Sequence, residues 1–170
     1  MSIADAVARA RAYLSEHPAE ARYRDAHARA RLGAGLLVEV DGPGGESLRT
    51  DMPRAIGGSA TIPSPGWYLR AAAASCVVSL IAIRAAGLGI SLPPGSVEAV
   101  VDSESDDRGI LGIDETVPAG ALSVKVVVRF EPDLVPADQA DTIARWALDH
   151  CPVTEGLRRG VPIELEVAVG

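Results

Sequence analysis

A chain of 170 residues with 48% apolar content has material for one substantial core and too little polarity to stay disordered. Its net charge of -7 and pI near 4.9 count against nucleic acid or an anionic membrane surface as partner, because phosphate binding needs a concentrated basic face. Two cysteines, Cys76 and Cys151, are too few and too far apart for a secreted disulfide framework, and residues 2–14 lack a continuous apolar stretch of the signal-peptide kind. The expected compartment is the cytoplasm, with no membrane anchor: the uncharged interval between Arg70 and Arg84 is too short to span a bilayer.

In chain order, Ile3, Val7, Ala10 and Leu14 recur at helical spacing until His17 and Pro18 interrupt them, and residues 19–32 either resume a helix or begin a strand. Residues 1–32 are therefore set apart as an N-terminal helical arm, and 33–170 as the main domain. Basic residues from Arg9 to Arg31 alternate with Asp5, Glu16, Glu20 and Asp25, the pattern of a solvated helix face. Residues 35–41 and 46–51 flank the turn Gly42-Pro-Gly-Gly45 and predict a hairpin. A long helix follows, with Ser64 as its N-cap, Pro65 at its first position, and Gly87 and Gly89 at its end. Leu69, Ala72, Ala73, Cys76, Leu80 and Ile83 are expected on its buried face, with Val77 and Ile81 alongside.

Two β-branched runs, 96–102 and 122–130, predict strands, and residues 110–113 between them suggest a short extra one. Residues 136–150 form an amphipathic helix with Ala140, Ile143, Trp146 and Ala147 inward. Residues 162–169 alternate as a final strand. Strand pairs separated by two helices define an α+β class, since a doubly wound sheet needs regular alternation of strand and helix.

Chemistry concentrates at the cysteines. Gly33-Ala-Gly35 and Gly42-Pro-Gly-Gly45 do not follow a strand and open a helix, so neither is a phosphate loop. His17, His27 and His150 form no i,i+4 pair and there is no Cys-x-x-Cys, which leaves no recognisable metal ligand set and implies no cofactor. Cys76 at mid-helix and Cys151 at the end of a second helix would suit a nucleophilic thiol and a thiol that resolves it, or simply two small buried hydrophobes.

The order and flanks of these residues resemble the OsmC/Ohr family. The likeness rests on Pro63-Ser-Pro-Gly66, the small-residue helix reaching Ala74-Ser-Cys76, Asp149-His-Cys-Pro-Val153, and the closing segment from Leu157 to Val167. Leu48-Arg-Thr-Asp-Met-Pro53 and Gly57-Gly58 also fit. The resemblance implies an OsmC/Ohr-like intertwined homodimer with antiparallel sheets packed around two central helices. It also implies an organic hydroperoxide reductase in oxidative stress defence, with a dithiol reductant as partner. Carried onto this chain, Cys76 is the peroxidatic thiol and Cys151 the resolving one.

A mid-helix apolar site raises a thiol's pKa, so Cys76 needs a cation to hold its thiolate. Arg54 stands close to the family's arginine position, with Arg49 as the fallback. The peroxidase branch also carries a glutamate early in the helix to orient that arginine, where this chain has Gly66 and Trp67. Cys76 is accordingly expected to titrate at or slightly below the free-thiol value of about 8.5. Trp67 and Tyr68 would equally suit a hydrophobic binding site. The alternative function is a non-catalytic OsmC-like dimer that binds a hydrophobic small molecule or protects by stoichiometric thiol oxidation.

Overall fold

The computed structural model describes residues 1–169. It contains α1 (Ile3–Glu16), β1 (Arg29–Leu32), β2 (Val38–Asp41), β3 (Ser47–Thr50), α2 (Pro65–Gly87), β4 (Val97–Glu104), α3 (Asp107–Ile110), β5 (Ser123–Phe130), α4 (Ala137–His150) and α5 (Pro152–Arg159). The class is α+β with antiparallel sheets. The chain divides into two compact parts, Met1–Ala71 and Ala72 onward, and the division falls inside α2.

In the first part, α1 starts at a reciprocal capping box. The Ser2 hydroxyl accepts from the Asp5 amide at 3.1 Å while the Asp5 carboxylate accepts from the Ser2 amide at 3.2 Å, satisfying donors that a helix start leaves orphaned. The helix buries no residue. The last four residues of the arm, Arg29–Leu32, pair as β1 in the sheet β1-β2-β3. The expected hairpin is present in the register Val38↔Thr50 to Asp41↔Ser47, closed by the Gly42 amide on the Glu46 carbonyl at 2.9 Å.

After β3 the chain folds into a loop clasped by one carboxylate. Asp51, 3% exposed, accepts from the amides of Met52 (2.7 Å) and Ser59 (2.9 Å) and from the Ser59 hydroxyl, and its own amide reaches the Pro63 carbonyl at 3.2 Å. A Cβ on Gly58 would lie 1.8 Å from the Met52 carbonyl oxygen, so the loop closes only around glycine. Arg54 rides on this loop, in a short 3₁₀ turn that ends at Gly57.

In the second part, α2, α4 and the β4-β5 ladder enclose the core. Val77 and Ile81 of α2 meet Ile143 and Ala147 of α4 and Cys151, all 0% exposed, and Val97, Ala99, Val126, Val128 and Phe130 cover them from the sheet. The fully buried valine and isoleucines each contribute about 1.5–3 kcal/mol by leaving water. The buried stripe of α2 is Ala73, Val77, Ile81 and Ala85, rotated from the face expected. Leu69 is 44% exposed and Ala72 also faces out, while Cys76 is only partly covered. A helix apolar almost all round gives no polar face to orient it, so partners decide which stripe goes inward.

Three further expectations change. Ile110 ends a short helix, α3, started by Asp106, whose carboxylate accepts from the Arg108 amide at 3.0 Å, and 110–113 adds no strand. The expected stop after Cys151 is instead the start of α5, since Pro152 takes the first helical position where its missing N–H is no loss. Among the described residues, 162–169 join no ladder. Their alternation is intact and unpartnered, with Ile163 93%, Leu165 87% and Val167 74% exposed.

Candidate active site

The two cysteines come together at the meeting of three helices. Cys76 projects from the middle of α2, and Cys151 is the single extended residue (φ -76°, ψ 115°) between the end of α4 and the start of α5. Thr154 fixes that junction. Its hydroxyl donates to the carbonyls of Leu148 (2.7 Å) and Cys151 (3.3 Å), binding the last turn of α4 to the first of α5. Arg158 donates to the Leu148 carbonyl at 2.9 Å and to Asp149 at 3.1 Å from the outer side.

Cys76 packs against the buried cluster that contains Cys151, and each thiol influences the proton affinity of the other. Cys151 is 0% exposed and Cys76 partly exposed, so a molecule arriving from solvent meets Cys76 first. Burial pushes the Cys76 thiol up to about 11, the neighbouring Cys151 sulfur adds to this, and the Val153 amide opposes it. That lies above the free-thiol titration expected from the sequence. Burial also raises Cys151, but the Thr154 amide, the Cys76 thiol, the Thr154 hydroxyl and the Val153 amide together bring it below its ordinary value. These amides face the sulfur without the close geometry of a side-chain cap.

The carbonyl end of α4 alone would disfavour a thiolate at Cys151, and the amide end of α5 reverses that. Val153 and Thr154 are the participants that sequence reasoning missed. The available signal was Cys151-Pro152 itself, a residue before a proline that opens a helix instead of following one.

The other predicted residues lie in the first part of the chain, the thiols in the second. Arg54 is exposed, and its Nε donates to the Ser59 carbonyl at 3.2 Å. Arg49 on β3 stands opposite Glu39 and, with Tyr68, Leu48 and Ile62, lines a cleft of about 600 Å³. Trp67 is 48% exposed and meets Tyr68 edge to face at 5.2 Å between ring centres. At Gly66 a Cβ would find nothing nearer than Arg70 Nη1 at 3.7 Å, so the missing glutamate is not excluded by space. Among the described residues no group of three His, Cys, Asp or Glu side chains gathers to hold a metal.

The family described as OsmC-like protein matches residues 57–166 of this chain. The chain belongs to this family. An organic hydroperoxide resistance protein OsmC from Legionella pneumophila is similar in structure, at TM-score 0.62 and 22% identity over 87% of this chain and 99% of that one. The organic hydroperoxide resistance protein OhrB of Bacillus subtilis gives 0.58 and 20% over 84% and 97%. An OsmC-like protein from Mycoplasma pneumoniae gives 0.65 and 13% over 82% and 91%. At these identities the likeness is one of fold. No protein of curated function matches the sequence.

Proposed function

We propose that the protein is a thiol-dependent organic hydroperoxide reductase that works as a homodimer in the cytoplasm. The observation that carries the reading is the packing of Cys76 against the cluster that holds Cys151, one thiol partly exposed and the other buried. In the reaction the Cys76 sulfur attacks the outer oxygen of ROOH, the O–O bond breaks, and ROH leaves a sulfenic acid on Cys76. Cys151 then attacks that sulfur, water departs, and a Cys76–Cys151 disulfide remains. An external dithiol returns it to the reduced state by thiol–disulfide exchange. Arg54 is the cation assigned to the developing negative charge.

The test is a coupled assay with cumene hydroperoxide and a small dithiol. Steady turnover in the wild type and its loss in Cys76→Ser are expected; turnover that survives Cys76→Ser contradicts the assignment.

A second reading has its own observation. The cleft lined by Tyr68, Leu48, Ile62 and Arg49 is of ligand size, and no glutamate orients an arginine from Gly66 or Trp67. This favours a dimer that binds a hydrophobic small molecule without turnover. Saturable binding of a long-chain carboxylic acid by protein that shows no peroxide consumption would select it.

A further inference from the structure

Cys76, Leu80 and Arg84 follow one another at i, i+4 and i+8 and so share a stripe of α2. Cys76 and Leu80 pack against the buried cluster. Arg84 instead lays its guanidinium on the indole of Trp146 of α4, with Cζ 5.3 Å from the ring centre, and its Nε is buried without a hydrogen-bond partner. A buried donor left unpaired is a cost, so an arginine here needs a reason that packing alone does not supply. Trp146 is stacked in turn on His150, 4.1 Å between ring centres and 18° from parallel. The His150 Nδ1 lies 2.8 Å from the Trp146 carbonyl oxygen; a carbonyl only accepts, so Nδ1 carries the proton and the imidazole is held in place. The next residue is Cys151.

These contacts fix how α4 lies along α2. Arg84 and Leu88 line one cleft with Pro136, Asp138, Gln139 and Thr142 at the start of α4, while Cys76 and Cys151, at its far end, influence each other, so the two helices run antiparallel. We propose that Arg84, through Trp146 and His150, is a positioning residue that sets the register of α4 on α2 and thereby brings Cys151 within bonding reach of Cys76. The contacts of Val77 and Ile81 with Ile143 and Ala147 are non-directional and tolerate small shifts, whereas a guanidinium must stay within about 6 Å of the ring centre to keep its attraction. Register matters because a disulfide needs Cα atoms about 4.4–6.8 Å apart, while one helical turn is about 5.4 Å. A slip of a fraction of a turn parts the thiols. The inference rests on the peroxidase reading above for its oxidant, an organic hydroperoxide, and concerns only the step after it. There the Cys151 sulfur attacks the sulfenic sulfur of Cys76, the S–S bond forms, the S–O bond breaks, and the hydroxide leaves as water with the Cys151 proton.

Reduced protein is given one equivalent of cumene hydroperoxide in the presence of dimedone, and the Cys76 sulfenic acid divides between the dimedone adduct and the disulfide with Cys151. That ratio reads closure alone, however fast the sulfenic acid forms. In Arg84→Met, which keeps an apolar stem and removes both the cation and the unpaired donor, we expect a shift of about tenfold or more toward the adduct, since a misplacement of about 1 Å costs on the order of a hundredfold. Denaturant stability should be unchanged or higher, so that slower closure is not a loosened core. Arg84→Lys keeps a cation for the ring and should restore most of the wild-type ratio. A wild-type ratio in Arg84→Met, or a lysine no better than methionine, overturns the inference. Should Arg84→Met lose stability, Trp146→Phe decides: its weaker ring should shift the ratio in the same direction, and no shift overturns the proposal. If hydroperoxide oxidises neither thiol of the wild type, the peroxidase reading falls, and the rate of disulfide formation with diamide, an azo oxidant that takes up both protons and both electrons, replaces the ratio. Equal diamide rates in wild type and Arg84→Met then overturn the positioning role on its own.

Discussion

At the scale of single residues, chemistry at the pair is divided between access and acidity. Cys76 is partly exposed and burial raises its proton affinity, whereas Cys151 is sealed from solvent. The vacant orienting position offers a gain of function. Gly66 lies in the first turn of α2 with room for a side chain, and a carboxylate there complements the helix dipole. Gly66→Glu should therefore fold and raise peroxide turnover by roughly tenfold to a hundredfold through a fixed guanidinium at Arg54. Unchanged turnover in a stable variant would show that Arg54 is not the thiol's cation.

Asp51 gives a pH test of the clasped loop. The Ser59 hydroxyl chiefly, with the amides of Met52, Ser59 and Thr61, lowers its pKa against the opposing effect of burial. A depressed folded-state value means stabilisation that is present above the unfolded value of about 3.9 and lost as pH falls through the folded one. The stability advantage of wild type over Asp51→Asn in urea unfolding should be full at pH 6 and shrink below pH 4. An advantage independent of pH from 6 to 3 would contradict it.

At the scale of elements, the junction of α4 with α5 decides where the second thiol goes. Thr154→Val keeps the shape but leaves the Leu148 carbonyl with one donor fewer at a buried site, which should cost about 1–3 kcal/mol in denaturant unfolding. No measurable loss would mean that Arg158 alone holds the joint. The same junction marks where sequence reasoning stopped short. The β2-β3 hairpin, α2, β4, β5 and α4 were legible because each carries a strong period or a turn signal at its ends. α5 was not, because Cys151-Pro152 reads equally as a stop or as a first helical turn, and only the Thr154 contacts choose. The inward stripe of α2 was ambiguous for a different reason: a row of alanine, valine and isoleucine carries no polar marker of the outer face. Of the site, Cys76 and Cys151 were legible as a pair by resemblance, but the amides that tune them belong to backbone and leave no residue type to recognise.

At the scale of the whole molecule, much apolar surface is exposed. The apolar window of α2 is only 22% buried although its mean hydropathy of 1.6 over a 23-residue helix would satisfy the length and composition of a membrane span. The final segment leaves Ile163, Leu165 and Val167 in solvent with free backbone hydrogen-bonding groups on both sides. Exposed alternation of this kind is a strand without its sheet, and a second copy of the chain is the proposed occupant. Sedimentation should give a dimer at micromolar concentration and a shift towards monomer in Leu165→Asp; a stable wild-type monomer would contradict the homodimer. The thiol chemistry is checked by mass spectrometry of reduced protein after one equivalent of cumene hydroperoxide. A disulfide between Cys76 and Cys151, formed through a sulfenic acid on Cys76, is expected. Folded protein with both thiols untouched in excess hydroperoxide would contradict it.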